Sequence, residues 1–274
     1  MDIHYTVTRE MLRRKYSQKT IKTYLYCIDK FFSKCNKEAG KVSKTDVREY
    51  LNNLIEKNKA GNTINVNLNA LKFFFEEVLG KRMKLNIKYS KVPEKLPVVL
   101  SKEEVKGLFT AIDNEKHRLM VQVMYSAGLR VSELINLKVK DLDIKKNYGF
   151  VRQGKGNKDR IFIISESLKE KINELIEKEK LCLGNYLFNT NRNTKYGVRS
   201  LQQIIIKARK KAKINKKISC HTLRHSFATH LIENGYSVSE VQALLGHKSP
   251  ETTFIYLHTA APNMIKVKSP IDSL

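Results

Sequence analysis

His221-Thr222-Leu223-Arg224-His225-Ser226-Phe227-Ala228-Thr229-His230, followed by Leu245-Gly246-His247 and by Tyr256 in Thr252-Thr253-Phe254-Ile255-Tyr256, decides how this chain is read. A His-x-x-Arg pair, a further His and a Tyr nine residues beyond it place cationic, proton-carrying groups around one phenol. Such a set suits phosphoryl transfer to a tyrosine. The 274 residues include 52 Lys+Arg against 27 Asp+Glu, a formal charge of +25, so the expected phosphate is that of nucleic acid. The combination reads as an enzyme that cuts and rejoins DNA.

Composition narrows the classes. Hydrophobic residues make up 41% of the chain, enough for one or two packed cores rather than a disordered polymer. No apolar run approaches the roughly 20 residues of a spanning helix, and Met1-Asp2-Ile3-His4-Tyr5-Thr6 carries no apolar stretch of a secretory signal. A membrane is therefore not an expected partner. Cys27, Cys35, Cys182 and Cys220 show no Cys-x-x-Cys or zinc spacing and read as free thiols of a reducing cytoplasm. Cys220 precedes His221, but sequence neighbours seldom aim at one point, so a Cys-His nucleophile is set aside.

Periodicity divides the chain in three: 1–88, a linker over 89–98, and 99–274. The first part is expected to be helical throughout. Thr20, Ile21, Tyr24, Leu25, Ile28, Phe31 and Phe32 recur at helical spacing, Ser43 or Thr45 caps a second helix, and a third runs from Ile64 to Gly80. Its polar faces carry Lys19, Lys22, Lys30, Lys34, Lys44, Arg48 and Lys72. Residues 1–95 hold 21 Lys+Arg and 10 Asp+Glu, which leaves +14 for the remainder, so both halves are basic and a clamp around DNA is expected. Pro93 and Pro97 keep the linker extended. The second part opens at Ser101-Lys102-Glu103-Glu104, a capping box. Helices are expected over 117–126, 166–180, 198–212, 221–234, 237–245 and 249–257, with strands over 138–144, 148–153 and 160–164. Gly154-Lys155-Gly156-Asn157-Lys158 forms the turn between the last two strands. The fold class is mainly α with a small β-sheet.

Each candidate residue has a plain reading beside the chemical one. His221 and Arg224 share a helix face; Arg224 is either an ion-pair residue or a bidentate phosphate ligand. Arg130, in Gly128-Leu129-Arg130-Val131-Ser132-Glu133-Leu134, is either half of a helix-start salt bridge or part of an anion site, with Glu133 bracing it. Lys155 is either a charged hairpin tip or a lysine carried into a groove to protonate a leaving alkoxide. Lys158 and Arg160 are alternative phosphate anchors. His247 can simply cap a helix end, and Tyr256 competes with Tyr186, Tyr196 and Tyr236.

Together, Arg130 in Gly-Leu-Arg-Val-Ser-Glu-Leu, Lys155 in Gly-Lys-Gly-Asn-Lys, His221-x-x-Arg224, Leu-Gly-His247 and Tyr256 resemble the tyrosine recombinase family, in family order over residues 100–260. The resemblance implies a helical SAM-like core-binding domain and an α+β tyrosine recombinase catalytic domain. It implies that Tyr256 attacks a phosphodiester to form a 3′-phosphotyrosyl link, while Arg130 and Arg224 clamp the non-bridging oxygens. Lys155 would protonate the 5′-oxygen, His221 assist at the nucleophile and His247 bind the phosphate. No cofactor and no metal are implied, and no ATP, in keeping with the lack of a P-loop. With no arm-binding extension ahead of it, the chain is similar to the compact Xer type.

The expected partner is a double-stranded DNA recombination site, with self-assembly to a tetramer on two sites. The apolar Met264, Ile265, Val267, Ile271 and Leu274 of the tail would pack on the next subunit or back on their own chain. Xer-like resolution of chromosome or plasmid dimers is the expected role. The alternatives are the integrase of a mobile element, a type IB topoisomerase and a non-cutting DNA-binding accessory protein.

Overall fold

The computed structural model describes residues 2–80, 84–93, 96–152 and 159–246, and the chain divides into two units, Met1–Glu94 and Lys95–Leu274. In the first, α1 (Ile3–Arg13) is capped by Asp2 and α2 (Gln18–Cys35) by Ser17, each side chain taking a first-turn backbone N–H. Asn36, in the left-handed region at φ 47°, ends α2. Ser43, rather than Thr45, starts α3 (Lys44–Glu56) through a reciprocal box with Asp46. The chain breaks at Asn58 (φ 50°), so Gly61 is already the first residue of α4 (Gly61–Lys72) and not the break the sequence suggests.

After Lys72 the helix widens into a π-helical stretch, Phe73–Val78. Phe73, Phe74 and Phe75 are all buried. A regular α-helix turns about 100° per residue and would spread three successive rings over about 200° of its circumference. The wider turn brings them closer to one face, where Phe74 and Phe75 meet Phe31 and Phe32 at ring-centroid distances of 5.6–6.3 Å. The 1–88 segment is not helical to its end. Residues 84–90 are irregular, and Asn65 reads the backbone of Ser90 in both directions, donating to its carbonyl and accepting its N–H. Lys19, Lys22, Lys34, Lys44 and Arg48 are exposed, while Lys30 and Lys72 lean over the Tyr26 and Tyr89 rings.

In the second unit the Ser101–Glu104 box opens α5 (Lys102–Thr110), and Asn114 caps α6 (Glu115–Ser126). Then come α7 (Val131–Asn136), β1 (Leu142–Asp143), β2 (Tyr148–Val151), β3 (Arg160–Ile163), α8 (Glu166–Lys178), α9 (Val198–Lys211), α10 (Cys220–Glu233) and α11 (Val238–Leu245). The three strands form one antiparallel sheet in chain order. The strand expected over 138–144 is mostly something else. Asp141 folds back to accept the Lys138 N–H, making a 3-10 turn over Val139–Asp141, and Val139 and Leu187 exchange backbone bonds with Asn185 and Leu137 instead of with the sheet. The turn at 154–158 and the helix expected over 249–257 lie outside the described residues.

Leu119, Met120, Met124, Leu129, Leu134, Phe162, Leu187 and Leu223 belong to one core of this unit. Gly128 joins α6 to α7 at φ +56°, and a methyl group on it would lie 2.4 Å from the Phe227 ring of α10. The glycine thus meets two demands at once, a left-handed backbone and contact with an aromatic ring. Gly128→Ala should therefore destabilise the unit by about 3 kcal/mol, the left-handed penalty plus overpacking, lowering Tm by roughly 10 °C. A thermal melt within 2 °C or so of wild type would mean that α10 shifts to make room at little cost.

Candidate active site

Glu133 lies in the first turn of α7 with its side chain only 4% exposed, and it collects cations from three parts of the chain. Its Oε1 accepts from Arg130 Nη1 at 2.6 Å, and its Oε2 accepts the Arg130 backbone N–H at 2.9 Å. Arg160 Nη2, from β3, donates to Oε2 at 2.6 Å, and Arg224 Nη1, from α10, lies 3.8 Å from the same oxygen. The guanidiniums reach further. Arg224 donates to the carbonyls of Gly128 and Leu245, and Arg160 donates to that of Leu244. The last turn of α11, which has no N–H of its own to satisfy those carbonyls, is thus closed by two arginines and by the left-handed Gly246.

Local sequence explains the assembly. Arg130 is the N-cap residue of α7, and Glu133 three residues on is where a side chain can reach back to it. Arg224 faces Gly128 because Phe227, one turn later on α10, rests against that glycine. Burial raises the pKa of Glu133, but the Arg160 charge and the bonds from Arg130 and Arg160 together outweigh it and hold the carboxyl below its ordinary value. His225, half-buried on α10 beside His221 and Arg224, is pushed down to about 4, first by burial and then by those two neighbours.

Comparison with known proteins is consistent over nearly the whole length. The Phage integrase family profile matches residues 98–262, and that of the Phage integrase N-terminal SAM-like domain matches residues 5–85. The chain is 36% identical to Tyrosine recombinase XerA of Pyrococcus horikoshii over 244 residues, covering 88% of this chain and 83% of that one. It also matches a crystal structure of XerA recombinase, with 31% identity, a TM-score of 0.58 and coverage of 98% and 99%. A structure of XerH site-specific recombinase bound to palindromic difH substrate matches with 25% identity, a TM-score of 0.73 and coverage of 92% and 79%. The chain belongs to the phage integrase family. It is a site-specific tyrosine recombinase, and the fold expected from the sequence, mainly helical with a small sheet, is that of this family.

Of the six site residues expected in this recombinase, Arg130, His221 and Arg224 are among the described ones. Arg130 and Arg224, 94 positions apart in the chain, meet at Glu133. His221 is exposed on the first turn of α10, one turn from Arg224. Lys155, His247 and Tyr256 lie outside the described residues, as does Lys158. Among the competing tyrosines, Tyr196 is bonded to His117 and burial raises its pKa, the wrong direction for a nucleophile; Tyr186 stacks on Lys138, and Tyr236 is exposed. Burial pushes the Cys220 thiol up to about 11, which suits packing rather than attack. Among the described residues no cluster of His, Cys, Asp and Glu is placed to hold a metal, and no helix is long and apolar enough to cross a membrane.

Arg160 departs from the sequence reading. As a phosphate anchor it should face outward, yet its side chain is only 8% exposed and both terminal nitrogens are engaged. The signal for this lay in the period of two along β3. Phe162 is buried while Ile161 and Ile163 are exposed, so Arg160 shares the inward face with Phe162.

The depressed His225 pKa has a consequence in acid. An unfolded chain takes up a proton on this histidine near pH 6.5, while the folded one resists until about 4. Between those values the unfolded state binds more protons, so stability falls as pH falls. Wild type should lose roughly 1–2 kcal/mol more than His225→Asn between pH 7 and pH 5 in denaturant titrations. Equal losses in the two proteins would show that His225 takes up its proton in the native state.

Proposed function

We propose that this recombinase exchanges DNA strands through a covalent 3′-phosphotyrosyl intermediate on Tyr256, and that its role is Xer-like. The supporting observation is the Glu133 cluster. Three guanidiniums meet around one carboxylate, two of them on the arginines expected to grip the scissile phosphate. A phosphodiester gains negative charge as the tyrosine adds, and fixed cations aimed at that charge stabilise the transition state without having to reorganise. A carboxylate behind the arginines fixes their direction while leaving positive charge in excess.

In the reaction, Tyr256 Oη bonds to phosphorus as the bond from phosphorus to the 5′-oxygen breaks. The phenol proton passes toward His221, and Lys155 supplies a proton to the departing 5′-oxygen. Arg130 and Arg224 hold the non-bridging oxygens, and His247 adds a third hydrogen bond there. A phenol of pKa about 10 is a weak nucleophile at neutral pH, so this cationic surrounding is what makes the attack feasible. The phosphotyrosyl ester retains the energy of the broken bond, so the reverse attack by a 5′-hydroxyl rejoins DNA without ATP, and every proton and charge has a side-chain carrier without a metal. The partner is a duplex recombination site, bound by both basic units, and exchange proceeds in a tetramer on two sites. XerA and XerH being recombinases, the latter in complex with its difH substrate, supports the Xer-like role.

The test is covalent capture. A duplex is first selected from a random library by Tyr256→Phe, then prepared with a nick beside the cleavage point so that the short product diffuses away. Wild type should become covalently attached through Tyr256, also in EDTA. Tyr256→Phe should bind with similar affinity and form no adduct. Arg130→Ala and Arg224→Ala should each slow adduct formation by about 10²–10³. Attachment through another residue, or a strict need for magnesium, would overturn the mechanism.

A further inference from the structure

We infer that Arg160 is a positioning residue for strand cleavage, acting through Glu133 and the end of α11 rather than by touching DNA. The inference rests on the recombinase reading above. Arg160 lies between two things the reaction needs. Its Nη2 donates to Glu133 Oε2, the oxygen that also takes the Arg130 N–H and faces Arg224. Its Nη1 donates to the Leu244 carbonyl, next to the Leu245 carbonyl held by Arg224. The side chain also runs against Gly246, where an added methyl would come within 2.7 Å of Arg160 Cδ. His247 is the next residue in the chain.

One guanidinium therefore links the carboxylate that orients the two clamp arginines to the backbone that leads into His247. Among the described residues, the other two arginines at Glu133 are already engaged elsewhere. Arg224 Nη1 and Nη2 are bonded to Gly128 and Leu245, and Arg130 Nη1 to the other oxygen of Glu133. Lysine would supply the charge but not the planar fork that spans a carboxylate and a carbonyl together. Without Arg160, Glu133 loses a charge-assisted bond and its Oε2 keeps the Arg130 N–H and the more distant Arg224, so its hold on the arginines loosens, and the last carbonyls of α11 lose one of the two arginines that close them. A shift on the order of 1 Å in a group that binds the transition state costs about a hundredfold in rate.

The experiment compares wild type, Arg160→Gln, Arg160→Lys and Tyr256→Phe on the nicked duplex selected above, well below each protein's melting temperature. Arg160→Gln should lower the first-order rate of adduct formation at saturating DNA by between about tenfold and a hundredfold. The half-saturating DNA concentration and the slope of log K against log salt should stay as in wild type. Arg160→Lys should fall between the two, slower than wild type; if Arg160→Gln does not fold, that variant carries the test. A purely stabilising role would lower the melting temperature and leave the rate at saturation alone. A direct phosphate contact would weaken binding and make the salt slope shallower by about 0.9. Either result, or a folded Arg160→Lys cleaving at the wild-type rate, overturns the inference. Failure of wild type to form any adduct would instead refute the recombination mechanism itself.

Discussion

The buried carboxylate of Glu133 is the constraint on which the C-terminal unit is arranged. A carboxylate taken out of water is expensive, by several kcal/mol even after relaxation, unless cations and hydrogen bonds surround it. Here Arg130 comes from the start of α7, Arg160 from β3 and Arg224 from α10, and each must arrive with its guanidinium in place. The requirement is reciprocal, since three arginines near one another repel unless an anion lies between them. Helix, sheet and helix are thus tied at the point where the proposed phosphate clamp lies.

The neighbouring architecture follows from that point. Gly128 allows α10 to approach closely enough for Arg224 to reach both the α6–α7 connection and the end of α11. The short α11 ends on carbonyls that arginines satisfy, so its terminus is fixed by the Glu133 cluster and not by packing alone. In the N-terminal unit the limiting demand is apolar: three consecutive phenylalanines are accommodated by a π-helical turn. Its lysines remain on the outside, where they add positive charge without affecting the core.

How much of this could be read from the sequence varied with the kind of signal. Local rules worked where one side chain decides. Ser101 with Glu104 named the start of α5, and the reach of Glu133 back to Arg130 followed from their spacing. The family and fold were legible because the spaced motifs around Arg130, His221 and Arg224 form a pattern that few sequences share. Strand 138–144 misled because apolar alternation cannot show that Asp141 will turn the chain and that its neighbours will bond to residues 185–187. Arg160 misled because a charge is ordinarily placed outside. Among the described residues, the long-range partners Glu133 and Leu244, 27 and 84 positions away, make an inward guanidinium favourable.

Cations outweigh burial at Glu133, so that the carboxylate is charged and held by arginines in the free protein. Carboxyl-carbon NMR of the free protein, with Glu133 assigned by comparison with Glu133→Gln, measures this directly. Glu133 should stay ionised on acidification past the ordinary glutamate pKa of about 4.3. A Glu133 signal that titrates above that value would mean that desolvation prevails, that the arginines are not held by a permanent charge, and that the cluster does not organise the site.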